Sequence, residues 1–416
     1  MSELLQIEEP APSRLAPPTW QAFLELGFRP LYLLACAWGI VGVALWVYAP
    51  GSITGQMPGV VWHAHEMLWG FVVTVAVGFL LTAASNWTGV NPLHGPALGA
   101  ACALWLLARI GFLLPGSAAF GLAAACELLF QLIATVAVAR AIYGRRSQRN
   151  YGVPVLMAGL ALANALYLWA AWQGDYALLM QRFHTGLLCM AVVALLIGRR
   201  VIPFFASRAV AGLALPAHAT SGQWQMGAGG LAVLFSLLQW PVPQAIALAA
   251  AGLLALWQLV AWRPLAVRKL PLLWVLYAGY TGLALGLLLA AVQLVGGMAR
   301  AAWPTHAIGV GGFAMLIIGM VTRTALGHTG RPLKADRSMV ASYLLVLLAA
   351  VLRLAALWPS PAVLPLLHAS ATAWVCAFGL YLWRFGPWLV RPRADARGGT
   401  PVSVALARAP KTPRPR

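Results

Sequence analysis

His63-Ala64-His65-Glu66-Met67-Leu68-Trp69-Gly70-Phe71-Val72-Val73-Thr74-Val75-Ala76-Val77-Gly78-Phe79-Leu80-Leu81 places three ionisable groups at the mouth of an otherwise apolar run. The run is long enough to cross about 30 Å of hydrocarbon as a helix, so the stretch reads as a membrane span with its polar groups at one end. Only nine of the 416 residues are acidic. A bilayer penalises an acid set beside two histidines, so the cluster reads first as a buried ligand or proton site and second as packing.

The rest of the chain has the same character. It is 61% hydrophobic and 9% charged, with a mean hydropathy of +0.80, which excludes a water-soluble globule. Apolar runs near 31–49, 62–85, 97–114, 119–140, 153–172, 181–198, 226–240, 243–262, 272–294, 305–322, 339–357 and 363–383 predict an all-α polytopic integral membrane protein of about twelve transmembrane helices. The seventh run is short, rich in glycine and parted from the eighth only by Pro241-Val242-Pro243. Residues 1–29 are expected to form a cytoplasmic N-terminal segment, 30–385 the twelve-helix domain, and 386–416 a disordered basic cytoplasmic tail. Glu3, Glu8 and Glu9 precede the first run without a cleavable signal pattern, so that run is expected to stay in the membrane.

Charge sets the orientation. If the helices alternate, only Arg109, Arg182, Arg300 and Arg353 of the 28 Lys and Arg fall toward one side, and the rest gather on the side of both termini, which is therefore expected to be cytoplasmic. The net charge of +19 is then a topology signal, and nucleic acid is not an expected partner.

With that topology the histidines separate by depth. His63 and His65 open predicted helix 2, His184 opens helix 6, His306 opens helix 10 and His368 lies early in helix 12, all toward the outer face. His94, His218 and His328 fall in cytoplasmic loops. Five imidazoles at one depth point to a cofactor or metal site more than to structural hydrogen bonding or a proton pathway. Neutral imidazole suits haem iron, copper and zinc alike, and the shortage of carboxylates argues against calcium or magnesium.

Helix geometry limits which of these act together. At about 100° per residue His63 and Glu66 share a face while His63 and His65 point nearly apart, so one helix offers one histidine to a flat macrocycle. Of the two, His65 is favoured for that role, with Glu66 beside it as a proton or tuning group. The partner is expected from another helix, and His306, just after Pro304 and Thr305, is the natural choice. Gly309, Gly312 and Gly319 on its helix leave room either for a bulky group or for close helix packing. From His65 to His184 is 119 residues and from His184 to His306 is 122, so each histidine opens the second helix of a four-helix block.

Other polar groups have two readings each. Glu127, in the middle of helix 4, is either a hydrogen-bonded structural acid or part of a proton route. Arg109 and Arg353 either snorkel to the surface or pair with haem propionates. Arg323, His328 and Arg331 read as a helix stop and topology signal, with an anion site as the other reading. Cys36, Cys102, Cys126, Cys189 and Cys376 are odd in number and unpaired in spacing, so no disulfide framework is expected. Cys189 shares a helix with His184 and is an outside metal candidate.

Several motifs carry a resemblance. Gly27-Phe28-Arg29-Pro30, the His63-Ala64-His65-Glu66-Met67 stretch with Gly70-Phe71, Gly78-Phe79-Leu80-Leu81-Thr82 running to Asn86-Trp87-Thr88-Gly89, and Met320-Val321-Thr322-Arg323 leading to Leu326-Gly327-His328-Thr329-Gly330-Arg331-Pro332 resemble the NnrS family over residues 20–385. The resemblance implies a bacterial inner-membrane protein that binds haem and copper and takes part in the response to nitric oxide and nitrosative stress. A more distant similarity joins the helix arrangement to the large subunit of haem-copper oxidases, with three four-helix arcs and haem-ligating histidines near the outer ends of helices 2 and 10. It implies haem b between those helices. Predicted helices 7 and 8 contain no histidine, so a complete binuclear oxidase or reductase site is not implied. Copper would draw on His184, His368, Cys189 or the spare histidine of the pair at 63 and 65.

The expected function is thus haem-based handling of nitric oxide or a similar small apolar ligand arriving from the lipid bilayer. Sensing, scavenging and reduction are all open, and any electrons would come from quinol or a redox partner. The alternative is a proton- or metal-coupled secondary transporter that uses His63, His65, Glu66 and Glu127. A weaker third reading is an assembly factor for haem or copper.

Overall fold

The computed structural model describes residues 16–216, 219–297 and 302–397. Glu3, Glu8, Glu9, His218, Arg300 and the tail beyond Arg397 lie outside the described residues. Of the described residues 82% are helical, and none lies in a strand.

Helices stand at all of the predicted places: α1 (Phe28–Tyr48), α2 (Gly59–Thr88), α3 (Gly95–Gly111), α4 (Ser117–Gly144), α5 (Gly152–Gln173), α6 (Tyr176–Ala209), α7 (Ala219–Leu238), α8 (Pro241–Ala261), α9 (Pro271–Leu294), α10 (Ala302–His328), α11 (Arg337–Ala355) and α12 (Val363–Leu389). Among the described residues, 10 helices are long and apolar enough to cross a membrane. Outside that set fall α3, with 17 residues, and α7, whose apolar run is diluted by Gln223, Gln225 and glycine.

Most neighbours in sequence pack side by side, α2 packs on α4, and α12 closes against α1. Three helices are the most deeply buried, with α9 at 56% close behind. The most apolar stretch of α2 is 83% buried and those of α6 and α10 are 61%, against 33% for α1, α11 and α12, and α2 touches both α6 and α10. The inner helices are the second members of the four-helix blocks, and they carry His63 and His65, His184 and His306.

Lipid supplies no hydrophobic drive between helices, so close approach depends on small residues. Gly186 of α6 lies against the Trp69 indole of α2. Gly282 of α9 faces the Gly311 backbone of α10, and Gly312 sits on Leu283. The expected glycine face of α10 is thus divided: Gly312 and Gly319 pack on α9, while Gly309 looks into open space.

Two of the inner helices change their winding at a shared place. Glu66–Val73 in α2 and Ala307–Ala314 in α10 are π-helical, and each segment begins at the residue after a histidine, His65 or His306. The wide turn frees the Trp69 carbonyl, which accepts from Thr74 Oγ1 at 3.0 Å, and that hydroxyl in turn accepts from Trp105 Nε1 at 2.8 Å. Such bulges recur at functional sites.

The arginine-rich end is tied together across the sequence. Buried Arg29 donates to the carbonyls of Leu389 and Arg391 at 3.2 and 2.6 Å and pairs with Glu25 at 3.2 Å, which fastens the start of α1 to the end of α12. The last helix therefore runs to Leu389, beyond residue 385 where the domain was expected to end. Asp336 caps α11 through the Met339 amide at 3.1 Å and pairs with Arg384 at 2.8 Å. Burial works to raise its carboxyl, but hydrogen bonds from Ser338, Arg384 and Met339 outweigh burial and hold it below the usual range.

Candidate functional site

The polar groups of the histidine end fall into two sets, and the two histidines that opened the sequence reading go to different ones. His65 belongs to an ion cluster that excludes solvent entirely. Its Nδ1 lies 2.9 Å from Glu66 Oε1, and its Nε2 lies 3.3 Å from Glu127 Oε2 and 3.2 Å from Asn164 Oδ1. Arg109 joins the same carboxylates, with Nη1 2.5 Å from Glu66 Oε2 and Nη2 2.6 Å from Glu127 Oε2. Four helices supply this cluster: α2 gives the histidine and one acid, α3 the arginine, α4 the second acid and α5 the asparagine.

Aromatic rings and one glycine build its walls. Trp38 Nε1 donates to Glu66 Oε2 at 2.5 Å. The guanidinium lies over Trp105 and Phe112 at 5.6 and 5.4 Å, and Tyr167 stacks on His65 at 5.5 Å while donating to the Val61 carbonyl at 2.8 Å. Gly70 is where it is because a Cβ there would stand 2.5 Å from Arg109 Nη1 and 2.8 Å from Glu66 Oε2.

Every atom that faces the His65 ring nitrogens is an acceptor oxygen. A ring engaged at both nitrogens offers no free nitrogen to a metal while these contacts stand. The cluster sets two acids against one guanidinium and one imidazole, so each buried polar group meets a partner where lipid offers none. Arg109 is therefore neither a snorkelling residue nor free for a propionate. Glu66 does not side with His63 as ideal helix geometry suggested, because it starts the π segment and its carboxylate is drawn to Arg109 and His65.

His63 belongs to the second set. Its ring stacks on Trp46 at 5.3 Å and 15°, it lies within electrostatic reach of His306 and Arg353, and its buried Nδ1 has no hydrogen-bond partner. His306 Nδ1 lies 2.8 Å from the Ala302 carbonyl. A carbonyl only accepts, so Nδ1 carries the proton and Nε2 presents its lone pair, the tautomer of a ligand histidine with its second-shell tether in place. Arg353 is half-buried and, among the described residues, pairs with no carboxylate. The open side of Gly309 lies one turn along the helix from His306.

The other candidates stand apart. His184 is half-buried against the Phe183 edge at 5.5 Å, and His368 lies against Tyr48 at 5.4 Å. Among the described residues, no three of His, Cys, Asp and Glu gather closely enough to hold a metal ion, so His184, His368 and Cys189 do not combine with the pair at 63 and 306 into a three-donor centre. All five cysteines are free. Asn164, Trp38 and Tyr167 were missed from sequence. Asn164 alone carried a signal, as an amide in the middle of an apolar run.

The family model described as NnrS protein matches residues 22–393, nearly the whole chain. No curated protein matches it.

Proposed function

We propose, from the premise that the chain belongs to the NnrS family, that this NnrS-type protein of the nitric oxide response holds haem b between His63 of α2 and His306 of α10. The observation that carries the reading is the pairing of a buried, unpartnered His63 Nδ1 with a His306 whose tautomer is fixed by Ala302. Two imidazoles on facing helices suit a six-coordinate haem iron. Arg353, with no carboxylate partner among the described residues, would take a propionate through charge-assisted hydrogen bonds. Trp46 fixes the ring plane of His63. Copper, which also favours imidazole, would compete with haem iron for the same two nitrogens.

Haem iron would supply a site for nitric oxide where one of its two imidazoles gives way. The chain's own part is to hold the imidazoles, exclude water and admit an apolar diatomic ligand from the lipid. In this reading the arginine-rich end faces the cytoplasm of a bacterial inner membrane, and the histidine end faces outward. A quinol or another redox partner would supply electrons if the reaction is reductive.

Absorbance spectra and iron and copper content of protein purified from haem-replete cells test the reading. A bis-imidazole haem spectrum with about one iron per chain is expected. Folded protein with neither a Soret band nor bound metal would overturn it.

A further inference from the structure

We propose that the groove between α4 and the loop after α2 is a binding site for one anionic phospholipid. The groove encloses about 640 Å³, within the roughly 300–1,000 Å³ of small-molecule sites. Its walls differ along its length. Leu132, Val136 and Arg140 follow one another at four-residue steps on a single face of α4, so an apolar strip about 12 Å long leads to a cation. Arg145 lines the same end. Among the described residues neither arginine has a carboxylate partner, whereas Arg29, Arg109, Arg384 and Arg393 each do.

The facing wall is held in place. Asn91 Nδ2 donates to the Glu25 carbonyl at 2.7 Å, and the Gly95 amide donates to the Leu24 carbonyl at 2.8 Å. The amide of Asn91 is thereby oriented, so this wall of the groove is fixed. Two arginines without a carboxylate partner at the head of an apolar strip match the phosphodiester and acyl chain of one anionic lipid. The phosphate would lie on Arg140 and Arg145, and an acyl chain would follow Val136 and Leu132 toward the bilayer centre. A free phosphate would leave the apolar strip uncovered, and a neutral lipid would leave the arginines unmatched. Basic pockets at one membrane face recognise anionic headgroups in this way.

Native mass spectrometry of the full chain, delipidated in mild detergent and titrated with phosphatidylglycerol or phosphatidylcholine, tests the site. One tightly held phosphatidylglycerol is expected, with phosphatidylcholine bound weakly and inorganic phosphate unable to compete. Neutralising each arginine is expected to weaken binding about fivefold, so the double variant Arg140→Gln/Arg145→Gln binds about 25-fold more weakly. The variant Arg263→Gln/Arg268→Gln loses the same charge elsewhere and should bind like the parent. Ala137→Trp, which fills the groove and keeps both arginines, should also lose the lipid. Equal weakening by the two charge variants, retention in Ala137→Trp, or displacement by inorganic phosphate would each overturn the proposal.

Discussion

His63 and His65, two residues apart on α2, face different chemistry: both nitrogens of His65 are engaged by Glu66, Glu127 and Asn164, whereas Nδ1 of His63 is buried with no partner. The first is a member of an ion network and the second is available as a ligand. Their substitutions should therefore differ in kind. His65→Ala leaves a buried carboxylate short of a partner and should cost about 3–5 kcal/mol. In metal-free protein His63→Ala should cost far less, since it breaks no hydrogen bond of its own ring. Thermal unfolding in detergent, monitored by circular dichroism, separates the two; equal losses of stability would refute the division.

The ion network should also behave as one unit. Arg109→Ala strands two carboxylates, and Glu127→Gln removes the carboxylate charge that the guanidinium and the imidazole share. Each alone should cost about 3–5 kcal/mol, while the double variant should cost clearly less than the sum, because the second change relieves part of what the first left unpaired. A double-mutant cycle on unfolding midpoints checks this, and additive losses would mean that the groups act independently.

Much of this arrangement is visible in the sequence, and the part that is not has a physical cause. Apolar runs locate the helices because length and hydropathy suffice to mark a span. The spacing of His65, His184 and His306 anticipates the inner helices, since a repeated block buries the same member each time. Angular spacing on α2 correctly sets His63 and His65 apart. It fails at Glu66, where the helix widens into a π segment that no 3.6-residue period foretells. It also cannot say which histidine is free, because Arg109, Glu127 and Asn164 come from three other helices and only the packed bundle brings them to His65.

Gly70→Ala tests the fit around the network. A methyl group there would stand 2.5 Å from Arg109 Nη1. A guanidinium at the end of a flexible side chain could usually move aside, but this one is held by two carboxylates and two rings. A loss of about 1–3 kcal/mol is expected, as for overpacking in a core. Gly144→Ala, on α4 where a Cβ meets nothing, is the control and should be neutral or slightly stabilising. Matching effects of the two on the unfolding midpoint would remove the argument for a tightly fitted site.

At the arginine-rich end, Asp336 should contribute a pH-dependent increment. Its carboxyl is held below its usual value, so its contribution is full above the unfolded value of about 3.9 and is lost as pH falls through the lower, folded value. Asp336→Ala should cost about 1 kcal/mol at neutral pH through loss of the α11 cap, and the difference from the parent should vanish at strongly acid pH. Unfolding midpoints measured across pH test the sign; a difference that grows on acidification would contradict it.

The central claim is that His63 and His306, and not His65, hold the haem. Haem content per folded chain, read from the Soret band and the pyridine haemochrome of His63→Ala, His306→Ala and His65→Gln purified in parallel, tests it most directly. The account predicts that His63→Ala and His306→Ala lose the bis-imidazole spectrum while His65→Gln, where it folds, keeps it. Loss of that spectrum in folded His65→Gln together with its retention in His63→Ala would contradict the account.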